Sequence, residues 1–167
     1  MTNPIDQELR IIATAWEAGE QPLATFDAVG AALQRCIGHR LYTITHILPG
    51  GREVERLHST DPASYPVGGR KPVAHNAYRD RLFAERRPFL GRRPADFAPF
   101  FPDHEFIVSL GLGSVINAPL IFAGAPLGSV NILDREGAYE EAHLDIAAAI
   151  ARMIIPALLG RSLAAAT

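Results

Sequence analysis

Half of the basic residues in this 167-residue chain lie in one short segment. Eight of the sixteen Lys and Arg residues fall in the 24 positions from Arg70 to Arg93, and only Asp80 and Glu85 offset them. Guanidinium groups bind carboxylates and phosphates through paired hydrogen bonds, so the segment could form an anion site. The alternative is a solvated helix face and its flanks. The eight residues are Arg70, Lys71, Arg79, Arg81, Arg86, Arg87, Arg92 and Arg93.

Two asparagines on neighbouring strands form a second candidate site. The pattern predicts strands at Ser114–Phe122 and Leu127–Leu133, with turn residues from Ala123 to Pro126 between them. Folding this hairpin about Gly124 sets Asn117 opposite Asn131 and Pro119 opposite Ser129. Buried amides must be paired, so the two asparagines either bond to each other and to backbone groups or hold a polar ligand.

The other face of the same hairpin is predicted to be a dry core. There the register pairs Ile116 with Ile132, Ala118 with Val130, Leu120 with Gly128, and Phe122 with Pro126. A slip of one residue would place Asn131 beside Ala118 on this apolar face, which argues against it.

The remaining chemistry-bearing residues form no recognisable catalytic or metal motif. None of the six histidines has metal-ligand spacing, and neither Ser114 nor Ser129 has an identifiable His-Asp relay. The single cysteine, Cys36, lies at the edge of a predicted helix stripe, where it is either a small buried hydrophobe or a reactive thiol.

Apolar periodicity and turn residues give the order of the elements that position these side chains. The pattern predicts helices at 5–18, from Pro22 to Ile37, at 72–86, from Asp103 or His104 to 110, and from Tyr139 past Ile155 with a kink or break at Pro156. It predicts strands at 41–48 and 53–60, a short edge strand at 88–91, and a structured loop at 92–103. Strands bracketed by helices favour an α+β fold with an antiparallel sheet.

The hairpin also carries a family resemblance. A strand ending in Ala-Pro-Leu, a turn Gly, then Pro-Leu-Gly-Ser-Val-Asn-Ile and a final acidic and apolar helix resembles the C-terminal half of a GAF domain. The resemblance extends from about Leu41 to Ile155. It implies an α+β, GAF/PAS-like fold, with a central antiparallel sheet, terminal helices on one face, and loops and short helices over a ligand pocket on the other. We expect a single domain over 1–167, with a core at about 22–160 and an N-terminal helix within 1–21.

The resemblance also implies where a ligand would bind. The segment from Lys71 to Leu110 would cover the pocket, and the asparagine pair would lie on its floor. The predicted ligand contacts are Tyr42, His75, Tyr78, Arg79, Arg92, Asn117 and Asn131.

Some activities known in GAF-like proteins lack their required residues here. Free-methionine-sulfoxide reductases of this fold use several cysteines, and bilin attachment needs a cysteine in the pocket. The signature that many cyclic-nucleotide-binding members carry is also missing. The chain therefore suggests no particular cofactor.

The final helix predicts a partner. Between Leu144 and Leu159 it is apolar on all sides except for Asp145 and Arg152, and such a helix must be covered on all sides. We expect a homodimer through Ile5–Trp16 and Leu144–Leu159. A net charge of −2 gives no indication of a nucleic-acid partner, and no signal peptide or charge-free membrane span is evident, so we expect a cytoplasmic protein.

These features favour a sensor or regulatory domain that binds a small polar or anionic molecule and signals through dimerisation or a separate partner. A protein-interaction module without a ligand is the alternative, and it would apply if the aromatic residues from Phe97 to Phe106 fill the pocket. An enzyme of unrecognised type is the third hypothesis, which the absence of a nucleophile–base pair disfavours.

Overall fold

A computed structural model describes residues 4–166 of the chain. Its helices are α1 (Pro4–Ala15), α2 (Leu23–Cys36), α3 (Ala77–Arg79), α4 (Pro94–Phe97), α5 (His104–Ser109), α6 (Ala142–Arg152) and α7 (Ile155–Ala165), with a π-helical turn at Asp80–Ala84. Its strands are β1 (Leu41–Ile47), β2 (Glu53–Ser59), β3 (Arg70–Pro72), β4 (Phe89–Gly91), β5 (Ser114–Phe122) and β6 (Ala125–Asp134). The predicted limits of the domain, 1 and 167, lie outside the described residues.

The six strands form one antiparallel sheet in the order β3-β2-β1-β6-β5-β4. Because side chains alternate along each strand, the sheet has two distinct faces. On one face, Ile116, Ala118, Val130 and Ile132 join a buried cluster with residues of α1, α2, α6 and α7. On the other face, Leu41, Val115 and Leu133 pack in a second cluster against residues of the segment 65–112. The predicted α+β architecture is confirmed.

The register of the central hairpin matches the prediction except at its tip. Asn117 pairs with Asn131, and Leu120 pairs with Gly128. The predicted pairing of Phe122 with Pro126 is wrong: Phe122 pairs with Ala125, after a shift between Leu120 and Ile121. The physical reason is a tighter turn than predicted, in which Ala123 and Gly124 both have positive φ angles, of 50° and 79°.

The predicted helix at 72–86 is confirmed only for residues 77–84, which form α3 and the π-helical turn. Lys71 and Pro72 belong to β3, where they pair with Val54 and Glu53. Helical structure begins only at α3, because the side chain of Asn76 accepts a hydrogen bond from the backbone N–H of Arg79 at 3.0 Å and caps the helix there. The chain then continues through the π-helical turn.

The final helical region is broken, as the proline suggested. The break between α6 and α7 falls at Met153 and Ile154, and Pro156 lies in the first turn of α7, where its missing N–H costs little. Within residues 4–166, the stretch Ala142–Ala165 is long and apolar enough to cross a membrane. Core helices of soluble proteins can be equally long and apolar, so this is weak evidence for a membrane span.

An ion pair joins α1 to α2. The Nε and Nη2 atoms of Arg35 donate to the two carboxylate oxygens of Glu8 at 2.8 and 2.6 Å. These hydrogen bonds hold the pKa of Glu8 below its ordinary value of 4.5. The carboxylate form is therefore stabilised in the folded chain.

We expect Glu8→Gln to lower the free energy of unfolding at neutral pH by about 1–2 kcal/mol, since it replaces charge-assisted hydrogen bonds by neutral ones. The lowered pKa means that the stabilisation is present above pH 4.5 and is lost as the pH falls through the folded-state pKa of Glu8. Urea unfolding of both proteins from neutral to acidic pH measures this. The exposed Glu17 provides the control variant, Glu17→Gln, and a pH-independent difference for Glu8→Gln would contradict the assignment.

Candidate functional site

The face of the sheet that lies away from α1 and α2 carries three rows of cross-strand neighbours. The first row is apolar and contains Leu41, Leu133 and Val115. The second row contains Thr43, Asn131 and Asn117, and the third contains Arg56, Thr45 and Ser129. A polar band therefore crosses the middle of this face, next to an apolar one.

A hydrogen-bond network joins the polar band. The Oδ1 atom of Asn131 accepts from the Nδ2 atom of Asn117 at 2.7 Å and from the hydroxyl of Ser129 at 2.9 Å. The Nδ2 atom of Asn131 donates to the hydroxyl of Thr43 at 3.2 Å. Flipping either amide alone would set like atoms against each other, so the two amides are fixed relative to one another. The sequence left open whether these amides bond to each other, and the structure shows that they do.

The Asn117 amide is nevertheless only half satisfied. Asn117 is only 4% exposed. Its Oδ1 atom is buried and has no hydrogen-bond partner among the described residues. An unpaired buried carbonyl carries an uncompensated desolvation cost of about 1–3 kcal/mol. A ligand N–H or O–H group, or a water molecule, would remove that cost.

A cover lies over this face. It consists of the segment from β3 to α5, and its aromatic rings contact one another. The ring centroid of Tyr78 lies 5.1 Å from that of Phe89 and 5.2 Å from that of Phe101, and Phe97 lies 5.5 Å from Phe101. Phe97 is fully buried. The rings therefore pack among themselves and against the sheet.

A cavity of about 520 Å³ remains between the sheet and the cover. This volume lies within the range of small-molecule sites, about 300–1,000 Å³. Its polar lining residues are Thr43, Thr45, Arg56, Tyr65, Lys71, Asn76, Tyr78, Arg79, Asp103, Asn117, Ser129 and Asn131. Its other walls are mostly aliphatic and aromatic, with Phe100 and Phe101 among them. The aromatic residues of 97–106 do not fill it.

The charges that line the cavity are mainly positive. Arg56, Lys71 and Arg79 face one carboxylate, that of Asp103, which accepts a hydrogen bond from the Tyr65 hydroxyl at 3.2 Å. The ion pairs found within residues 4–166 include none of the three cations. The Nε atoms of Arg56 and Arg79 are also buried and without partners in this part of the chain. The cavity thus has an excess of unpaired positive charge.

Burial weakens the charged state of two of these cations. It lowers the pKa of the Arg56 guanidinium, an effect that Tyr65 and Asp103 oppose. Lys71 is exposed as a residue of the edge strand, yet protein atoms crowd its ammonium group, and this burial lowers the pKa of that group. Asp103 opposes the lowering of the Lys71 pKa, and Arg56 adds to it. Arg56, Lys71 and Asp103 therefore influence one another electrostatically.

The structure brings four of the seven predicted site residues together. Tyr78, Arg79, Asn117 and Asn131 all line the cavity. The prediction for Tyr42 is wrong: this residue lies on the helix-covered face, where its hydroxyl donates to the carbonyl of Phe26 at 3.0 Å. Alternation within β1 could have shown this, because it groups Tyr42 with the core residue Ile44.

The predictions for His75 and Arg92 are also wrong for this cavity. Both residues are exposed, and neither belongs to its lining. His75 precedes α3 in a segment that is not helical, and the backbone N–H of Arg92 donates to Asp96 at the start of α4. His75 was predicted to lie in a helix that in fact begins only at Ala77, whereas Arg92 was predicted to lie in the structured loop of the cover.

Sequence reasoning missed several lining residues on the strands. Thr43 and Thr45 alternate with Tyr42 and Ile44 along β1, so their orientation was readable once the core face was known. Arg56 lies opposite Thr45 in β2, but a register shift between Ile44 and Thr45 hides this pairing from simple alternation.

Comparison with known proteins places the fold. No family model and no curated sequence matches this chain. Among solved structures, the GAF domain of a phosphoenolpyruvate-protein phosphotransferase from Coxiella burnetii is similar with a TM-score of 0.74 at 16% identity, over 99% of this chain and 100% of that one. The corresponding Acinetobacter GAF domain gives 0.73 at 11% identity, over 98% and 97% of the two chains. A phycocyanobilin-bound GAF domain from a cyanobacterial phytochrome gives 0.70 at 16% identity, over 98% of each chain.

Proposed function

Because this chain has the GAF-domain fold, we propose that it is a sensor or regulatory domain whose cavity binds a small polar or anionic molecule. The observation that carries the proposal is the cavity of about 520 Å³ into which the cover does not collapse. Unpaired buried polar atoms on Asn117, Arg56 and Arg79 support a polar ligand, since buried polar atoms in proteins are nearly always hydrogen-bonded.

The ligand-free interaction module is the weaker hypothesis. It required that the aromatic residues from Phe97 to Phe106 occupy the pocket. Instead, Phe97 is buried in the second core cluster, and Phe106 is 45% exposed and packs beside Tyr65. A similar structure was solved with phycocyanobilin bound to its GAF domain, which supports a ligand for this fold, although Cys36 lies outside the cavity lining here.

We propose binding without turnover. In the part of the chain that the structure describes, Asp103 is the one carboxylate of the cavity lining, and the lining includes no His or Cys. The hydroxyls of Thr45 and Ser129 bond to each other at 2.8 Å. In this proposal the two hydroxyls belong to the hydrogen-bond network of the sheet, and neither is a nucleophile.

Output through a homodimer is part of the same proposal. The predicted contact regions, Ile5–Trp16 and Leu144–Leu159, are partly buried within the chain, since Ile12 and Ile150 are fully covered. The Trp16 indole N–H also donates to the carbonyl of Met153 at 3.1 Å. Ile11 is nevertheless 44% exposed, so α1 keeps an outward apolar side that a second copy could cover.

Native mass spectrometry tests ligand and dimer together. We expect a dimer that carries a bound small molecule released under denaturing conditions. Arg79→Gln should reduce the occupied fraction severalfold, because Arg79 lines the cavity, whereas Arg92→Gln should leave it unchanged. The two variants remove the same functional group inside and outside the cavity.

A second measurement covers a ligand that is lost in purification. A fragment library is titrated into isotope-labelled protein, and the side-chain amide signals of Asn117 and Asn131 are followed by NMR. Bare protein in the first experiment, together with no shift of these signals by any fragment, would overturn the ligand. A monomer in native mass spectrometry would contradict the proposed dimer and leave the proposed ligand unaffected.

A further inference from the structure

We propose that the cavity selects a small aromatic carboxylic acid, whose carboxylate is held by Arg56 with help from Lys71 and whose ring lies against Tyr78, Phe100 and Phe101. This inference rests on the proposed function and specifies its ligand.

The charge balance of the lining requires an anion. Three cations and one carboxylate line the cavity, and the Asp103 carboxylate is already engaged by the Tyr65 hydroxyl at 3.2 Å. Arg56 and Arg79 are partly buried and have buried Nε atoms without partners among residues 4–166, so a bound anion would stabilise them.

Arg56 presents a free edge to such an anion. Its Nη1 atom donates to the carbonyl of Pro66 at 3.1 Å, and its guanidinium lies 4.9 Å from the ring centre of Tyr65. These contacts fix the plane of the group. They leave the edge formed by Nε and Nη2 without an acceptor within residues 4–166, and Nε is buried there.

The same chain shows what this edge binds. Arg35 uses its Nε and Nη2 atoms to hold both oxygens of the Glu8 carboxylate, at 2.8 and 2.6 Å. A planar carboxylate matches the spacing of the two N–H groups. Arg56 lines the cavity, and in this proposal a ligand carboxylate binds the same two guanidinium atoms.

Lys71 lines the same cavity as Arg56. Lys71 pairs with Val54 of the neighbouring strand. Val54 is two residues before Arg56, so Lys71 and Arg56 lie on the same face of the sheet, and both line the cavity. The Arg56 charge helps to lower the pKa of Lys71, so an anion placed between them would relieve their mutual repulsion. Lys71 contributes charge in this arrangement, and Arg56 contributes orientation.

The remainder of the cavity favours an aromatic body. Tyr78, Phe83, Phe100 and Phe101 line it together with aliphatic side chains. The planes of Tyr78 and Phe100 are within 26° of parallel at a centroid distance of 6.2 Å. Flat rings gain offset or edge contacts with such walls, worth about 0.5–1.5 kcal/mol beyond buried area. The unpaired Oδ1 atom of Asn117 would favour a ring that bears an N–H or O–H group.

Matched pairs of acid and amide test the proposal by calorimetry. Indole-3-acetate, 4-hydroxyphenylacetate and phenylacetate are titrated against the protein beside their amides, with inorganic phosphate as an anion that has no ring. We expect at least one acid to bind at least about tenfold more tightly than its amide, since charge-assisted bidentate bonds exceed neutral ones by more than about 1.4 kcal/mol. Inorganic phosphate should bind more weakly than that acid.

Protein variants locate the carboxylate. Arg56→Gln should weaken the best acid by about tenfold or more and leave its amide unaffected. Arg56→Lys keeps the charge but loses the paired edge, so its affinity for the acid should lie between those of the parent and Arg56→Gln. Arg52→Gln, at an exposed position just before the same strand, is the matched control and should bind like the parent. Lys71→Gln, at the exposed edge strand, provides a second test if Arg56→Gln does not fold.

The outcomes separate this inference from the proposed function. If acids and amides bind equally, or Arg52→Gln loses as much affinity as Arg56→Gln, the anion assignment is overturned while the cavity remains a ligand site. If phosphate binds more tightly than every acid, the proposed aromatic carboxylic acid is the wrong ligand class, because the cavity then selects phosphate. If none of these compounds binds, the inference fails, and the proposed function is still decided by the native mass spectrometry and NMR measurements.

Discussion

Gly128→Ala is expected to destabilise this domain strongly. An added Cβ atom at Gly128 would lie 2.0 Å from the backbone carbonyl oxygen of Thr45 and 2.9 Å from its carbon. These atoms belong to β1, which is paired with β6, so relief would need the two central strands to separate. We expect a loss of about 4 kcal/mol or more in the free energy of unfolding and a fall in Tm of about 10 °C or more.

Gly160→Ala is the matched control for this substitution. Gly160 lies within α7, and a Cβ atom there would have no other atom within 4 Å. Replacing a helical Gly by Ala at an open position stabilises a protein by about 0.5–1 kcal/mol. Urea and thermal unfolding of both variants should therefore give effects of opposite sign. A Gly128→Ala protein as stable as the parent would contradict the close pairing of β1 and β6.

Asn131→Ala is expected to destabilise the domain far more than Asn117→Ala. Asn131 is the hub of the polar network, because it accepts from Asn117 and Ser129 and donates to Thr43. Its removal leaves buried donors without acceptors, at a cost of about 2–4 kcal/mol. Asn117→Ala loses one hydrogen bond and also removes the unpaired Oδ1 atom, so we expect a cost of about 1 kcal/mol or less.

Chemical denaturation of the two single variants and the double variant measures this asymmetry. The double variant should be no less stable than Asn131→Ala alone, since Asn117 then has no partner left to lose. Equal destabilisation by the two single variants would contradict the hub assignment. The asymmetry also matters for binding studies: Asn117→Ala can report on the ligand without unfolding the floor, whereas Asn131→Ala cannot.

The site combines two kinds of polar group that have different tasks. The amide and hydroxyl row is largely satisfied within the sheet, where it joins β5, β6 and β1. The guanidinium groups of Arg56 and Arg79 retain unpaired buried N–H groups. The first set stabilises the floor, and the second is available to a ligand. In our proposals, selectivity therefore resides in the cations and the cover.

The two faces of the hairpin could be assigned from the amino-acid sequence. Alternation along Ser114–Phe122 and its partner strand was sufficient to set Asn117 opposite Asn131 and to separate them from Ile116 and Ile132. Helical periodicity likewise identified α1 and α2. These features depend on a repeat of two or of 3.6 residues, which is a local property of the chain. The hairpin tip was missed because a turn with two positive φ angles carried Ala at its first position.

The set of residues that line the cavity depends on tertiary packing. Arg56 enters it because β2 pairs with β1 through a register shift, and the cover adopts β3, a capped short helix and a π-helical turn where periodicity predicted one helix. His75 falls outside the cavity because it precedes the capped helix, and Arg92 does so because it lies beside Asp96 at the start of α4. Whether aromatic residues fill a cavity or pack on one another depends on contacts between distant parts of the chain. Such contacts leave no periodic signal, and only the packed structure shows them.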